Sequence, residues 1–78
     1  MQKSNHYRDD HVIKEFGKKV RSIRVKTGMT LEEFANTFDL HVNQLGRIER
    51  GETNLTISYI FLMAKKLGVK PKDLLDFD

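Results

Sequence analysis

Residues 30–51, TLEEFANTFDLHVNQLGRIERG, hold two short apolar periods only three residues apart, and that spacing leaves the chain few ways to fold. Thr30 followed three residues later by Glu33 is a capping box, in which hydroxyl and carboxylate each satisfy a backbone N–H that a helix start leaves unpaired. A helix therefore begins at Leu31. Leu31, Phe34, Ala35 and Phe38 recur on one face, and Ala35 is small enough for another helix to approach closely. Asp39, Leu40 and His41 break that stripe and read as a turn. From Val42 a second period starts, with Leu45 and Ile48 on its apolar face. Gly51 stops it, because glycine accepts the left-handed conformation that ends helices. The expectation is two helices joined by a tight turn.

The polar side of the second helix carries the chemistry. Asn43, Gly46, Arg47 and Arg50 stand at i, i+3, i+4 and i+7, which places them in one outward stripe. The stripe offers an amide able to pair with an adenine edge, two guanidiniums suited to guanine or phosphate, and a bare glycine where a neighbouring surface can come close. Gln44 flanks it. A solvated helix face is the ordinary meaning of such a cluster, and only its place after the tight turn favours recognition of a duplex.

The remaining residues read as support. A length of 78 residues without internal repeat allows one small domain, near the lower end of what folds without a disulfide or metal, so that oligomerisation can supply missing buried area. Fourteen Lys and Arg against eleven Asp and Glu give a net charge of +3. Residues 1–50 contain ten basic and seven acidic side chains and residues 51–78 four of each, so the surplus lies with the first three helices. With no cysteine there is no disulfide framework and no thiolate site, which fits a reducing cytoplasm. Neither a membrane-length apolar run nor a secretory leader stands out, so a cytoplasmic location is expected. His6, His11 and His41 include no pair at i, i+4 and no carboxylate cluster accompanies them; no metal, no cofactor and no catalytic site are expected.

Residues 1–8 are polar with a single aromatic and read as a flexible arm, ahead of one domain over residues 9–78. Lys3 and Arg8 in that arm are of the type that touches phosphate, but the favoured reading is an arm without a specific role. Asp9 and Asp10 suit the positive end of a first helix over residues 9–27, in which Val12, Ile13, Phe16, Val20 and Ile23 form the apolar stripe and Gly17 marks a helix crossing. Glu49 projects beside Leu45 toward the interior, where a carboxylate needs a partner. Arg24, one residue beyond the stripe of the first helix, suits a bidentate ion pair with it, the alternative being that both are exposed and unpaired.

The segments GKKVRSIRVKTGMTLEEFA, LGRIERGE and AKKLGVKPKDLL resemble the Cro/phage-repressor class of helix-turn-helix domains, the XRE family, over residues 13–75. The resemblance implies an all-α, compact five-helix bundle of the lambda-repressor-like kind. It implies an ion pair at Arg24 and Glu49, and a DNA-facing surface at Val42, Asn43, Gly46 and Arg47. There are departures. Leu31 stands where the family often has a glutamine that bonds a phosphate, Asp39 replaces a frequent turn glycine, and His41 sits at a helix cap where Ser or Thr is usual. Val42 replaces a commonly polar reader; packing on a thymine methyl and covering core are both open to it.

Beyond Gly51, Thr56 reads as the N-cap of a fourth helix holding Ile57, Ile60, Phe61, Ala64 and Leu67, ended by Gly68. The resemblance makes Thr53, Asn54 and Thr56 candidate phosphate contacts beside Arg50, while plain turn and cap chemistry also accounts for Thr56. Pro71 and Asp73 open a short fifth helix with Leu74, Leu75 and Phe77. Tyr59, Leu62, Met63, Leu75 and Phe77 remain apolar off the helical faces, an excess expected to be covered in a symmetric homodimer unless the residues are simply scattered on a monomer.

The expected function is sequence-specific binding of double-stranded DNA by a dimeric transcription regulator acting on an inverted repeat, with no small-molecule effector evident. Among small relatives, a restriction-modification controller protein and an autoregulating antitoxin both have this size. The alternatives are a protein-interaction module that keeps the helix-turn-helix fold, favoured by Leu31 and Val42, and an RNA binder, which lacks its usual exposed aromatic platform.

Overall fold

In a computed structural model, which describes residues 7–77, the first helix starts where a carboxylate can cap it. Asp9 accepts a hydrogen bond from the Val12 N–H at 3.2 Å and opens α1, Asp10–Thr27. The capping box of Thr30 and Glu33 opens α2, Leu31–Thr37, with both reciprocal bonds formed, at 3.1 and 2.9 Å. Then follow α3, Val42–Glu49; α4, Ile57–Leu67; and α5, Pro71–Leu74, with no strand among the described residues. The arm expected over residues 1–8 lies, for residues 1–6, outside the described residues. Arg8 donates to the Asp10 carboxylate at 2.7 Å and to the Glu52 carbonyl at 3.3 Å.

Phe16 and Val20 of α1, Phe34 and Ala35 of α2, Phe38 just after it, Leu45 and Ile48 of α3, Met63 and Ala64 of α4 and Leu74 of α5 form one buried cluster. The rings of Phe34 and Phe38 meet edge to face with centroids 5.0 Å apart, the arrangement their quadrupoles favour. α1 crosses α3 at Gly17, where a methyl group would stand 2.7 Å from the Glu49 carbonyl oxygen. The crossing distance therefore depends on that residue having no side chain. Val12, expected in the α1 stripe, is exposed instead, at the rim of a shallow depression that it shares with Ile60 and Leu75; Ile23 packs at the edge of the core.

α4 is rotated from its expected phase. Ile57 and Phe61, expected in the core, are 73% and 56% exposed, whereas Met63, expected at a dimer surface, is 0% exposed. The buried face runs through Ile60, Met63, Ala64 and Leu67, a three-and-four period as regular as the one expected. Seven of the eight residues 57–64 are apolar, leaving only Ser58, so spacing alone selects no face. Tyr59 and Phe77 are half-buried against the core, and Leu62 and Leu75 are exposed.

Candidate nucleic-acid interface

The start of α3 is oriented by the residues immediately before it and in its first turn. Asp39 takes φ = 56°, the left-handed conformation that an Asp side chain tolerates better than most, and the Leu40 N–H then returns to the Ala35 carbonyl at 2.9 Å. This reversal aims the chain into α3. At its start His41 does the work of a hydroxyl: its Nδ1 accepts the Asn43 N–H at 3.1 Å while Gln44 Oε1 accepts the His41 N–H at 2.9 Å. The imidazole and the amide thus close a capping box without Ser or Thr.

At the other end, Glu49 accepts from Arg24 Nε at 2.7 Å and from Nη2 at 3.0 Å, a forked pair joining α3 to α1. The third arm of the guanidinium, Nη1, donates to the Met29 carbonyl at 3.2 Å and so ties down the loop before α2. The side chains are 16% and 6% exposed. The hydrogen bond to Glu49 raises the Arg24 pKa, burial opposes it, and the carboxylate charge adds to the rise. Gly51 then takes φ = 76° and lies so close to α1 that a methyl group there would sit 2.6 Å from the Lys14 Cα.

The outward side of α3 presents Asn43, Gln44 and Arg47 to solvent, with Val42 half-buried at its start. Arg47 and Gln44 share a depression of about 270 Å³ with Thr53 and Tyr59, floored by Leu40, Ile48 and Leu55. The helix and the following loop therefore form one continuous surface. Asn54 and Thr56 are exposed along that loop, and the Thr56 hydroxyl oxygen is engaged as the cap of α4, accepting the Tyr59 N–H at 3.1 Å.

Two stripe residues stand differently from expectation. Gly46 is buried: the nearest atom to a methyl group built there is Arg50 Nη1 at 3.0 Å, with a Leu31 methyl at 3.7 Å. The surface that comes close to the glycine is the protein's own. Arg50 reaches across it and donates to both oxygens of Glu52, Nε at 2.8 Å and Nη2 at 3.4 Å. That hydrogen bond raises the Arg50 pKa and lowers that of Glu52, the charge of Arg47 also contributing to the fall. Sequence reasoning passed over Glu52, since it lies past the end of α3 and on no helical period. The one signal was a carboxylate two residues from a stripe arginine.

Among the described residues, no group of three or more His, Asp and Glu is arranged to hold a metal ion, and no helix is long and apolar enough to cross a membrane. Residues 20–74 match the family model described as Helix-turn-helix. The chain is 49% identical over 63 residues to the control protein C.BamHI of Bacillus amyloliquefaciens, covering 80% of this chain and 78% of the relative. It is 36% identical over 64 residues to the control protein C.SmaI of Serratia marcescens, covering 81% and 76%. The crystal structure of the restriction-modification controller protein C.AhdI from Aeromonas hydrophila superposes with a TM-score of 0.73 at 29% identity, over 80% of this chain and 94% of that one. The chain belongs to the helix-turn-helix family of DNA-binding transcription regulators, in the company of these control proteins.

Proposed function

We propose that this protein is a cytoplasmic controller of a restriction-modification system, which binds a specific inverted-repeat operator as a homodimer. The observation that carries the reading is α3. Asn43, Gln44 and Arg47 project from a helix held at both ends by the His41 cap and the Arg24–Glu49 pair, so donors and acceptors for base edges stand on a rigid support. Thr53, Asn54 and the first turn of α4 flank it where a phosphate backbone would run. The names of the relatives supply the controller role.

Homodimerisation draws support from the outward face of α4. Ile57, Phe61 and Leu62 are exposed together there, and a groove passes from Phe61 and Leu62 to Val69 and Pro71 at the start of α5. Covering this face with its symmetry mate buries the largest exposed aromatic side chain of the helical domain. A two-fold axis through α4 would set two recognition helices about one DNA turn apart, roughly 34 to 36 Å.

Selection of bound sequences from a random duplex pool, followed by footprinting, tests the reading. An inverted repeat protected symmetrically supports it. Enrichment of no sequence, together with binding that is indifferent to salt, overturns it in favour of a protein-interaction module.

A further inference from the structure

We infer that Glu52 attenuates the protein's affinity for any duplex, its carboxylate holding Arg50 as an internal substitute for phosphate. The inference rests on the DNA-binding reading above. Arg50 closes the stripe begun by Asn43 and Arg47, and a free guanidinium at that place would add one phosphate contact to any duplex, whatever its sequence. In this chain it is not free. Nε and Nη2 both donate to the Glu52 carboxylate, and the guanidinium is laid over Gly46, which lacks the side chain that would lift it away. Glu52 is placed by its own backbone, whose N–H donates to the Arg47 carbonyl at 2.8 Å and whose carbonyl accepts from Arg8 at 3.3 Å. Gly46, Arg50 and Glu52 therefore make up a single arrangement. Each duplex must exchange carboxylate for phosphate before Arg50 contributes.

The exchange penalises every sequence alike, so it lowers operator and random-duplex affinity by the same factor and leaves their ratio unchanged. It reads most directly on random duplex, where phosphate contacts are nearly the whole of the binding. Glu52 thus sets the overall strength with which the protein holds DNA, and base contacts from α3 set the discrimination.

The test is binding of the folded variants to a random-sequence duplex across a salt series, with thermal unfolding as a control. Glu52→Gln should raise random-duplex affinity roughly two- to fivefold, the worth of one exposed ion pair, and steepen the log–log salt dependence by about one. Arg50→Ala should weaken binding less in the parent chain than in the Glu52→Gln background. Glu52→Asp keeps the charge but draws the carboxylate back by one methylene, so it too should bind random duplex more tightly than the parent. If Glu52→Asp matches the parent and the Arg50 and Glu52 effects add, Glu52 acts only as a repelling charge and the inference is overturned. Should the parent itself show no salt-dependent duplex binding, the DNA-binding reading fails and the inference with it.

Discussion

Glu49 depends on Arg24 for both hydrogen bonds to its carboxylate, and its side chain is only 6% exposed. Removing it strands a guanidinium between two helices. Glu49→Ala should therefore lose about 3 to 5 kcal/mol, a large part of a small domain's stability. Urea unfolding reads the loss directly, and a midpoint equal to the parent's would mean that the pair is solvated in solution. Arg47→Ala should behave in the opposite way: the same unfolding midpoint, but about 1 to 3 kcal/mol less discrimination at one base position of the operator. Competition among single-base operator variants measures this, and equal selectivity would remove Arg47 from the base-reading set. Tyr59 adds a dependence on pH. Burial raises its pKa, the Asp39 charge adds to the rise, and its hydroxyl donates to the Phe38 carbonyl at 3.4 Å. With the folded value above the unfolded one, its contribution is complete below the ordinary phenol range near ~10 and is lost as pH rises through the raised value. Melting temperature should consequently fall more steeply above that range in the parent than in Tyr59→Phe.

Between neighbouring elements, what the sequence made legible was chemistry among adjacent residues. The Thr30 and Glu33 box, the Asp39 reversal and the glycine stops each involve a few consecutive positions, so their geometry follows from local rules. The orientation of Glu49 toward Arg24 was legible for a related reason, since a charge beside Leu45 on a helical face leaves few directions for a partner. The phase of α4 was not, because residues 57–64 are apolar nearly all round and only packing into the shared core selects Met63 over Phe61. Nor was the Arg50–Glu52 fork, which forms across a helix end where periodicity stops. The contact between α1 and α3 offers a check on element packing. Gly17→Val would force its side chain against the Ile48 and Glu49 carbonyls, and overpacking of this kind costs about 1 to 3 kcal/mol or more. A thermal melt at the parent temperature would show that the helices can separate freely there.

At the scale of the whole molecule, the rotated α4 separates two kinds of apolar residue that look alike in sequence. Phe61→Glu and Leu62→Glu change exposed positions, so sedimentation should report folded monomers, whereas Met63→Glu should abolish folding. A dimer that persists in Phe61→Glu would place the interface elsewhere. Monomers that still bind a complete operator with parental affinity would remove the need for two-fold symmetry altogether.

The cap of α3 has a consequence for how such proteins diverge. His41 and Gln44 are committed to starting the helix, Leu45 and Ile48 to the core, Gly46 to the passage of Arg50, and Glu49 to Arg24. Asn43 and Arg47 carry no such obligation. On the proposed reading, in which these two side chains meet base edges, changes in two codons would redirect the protein to a new target while leaving its folding untouched. Two descendants differing only at those positions could coexist in one cell as orthogonal switches, each deaf to the other's promoter.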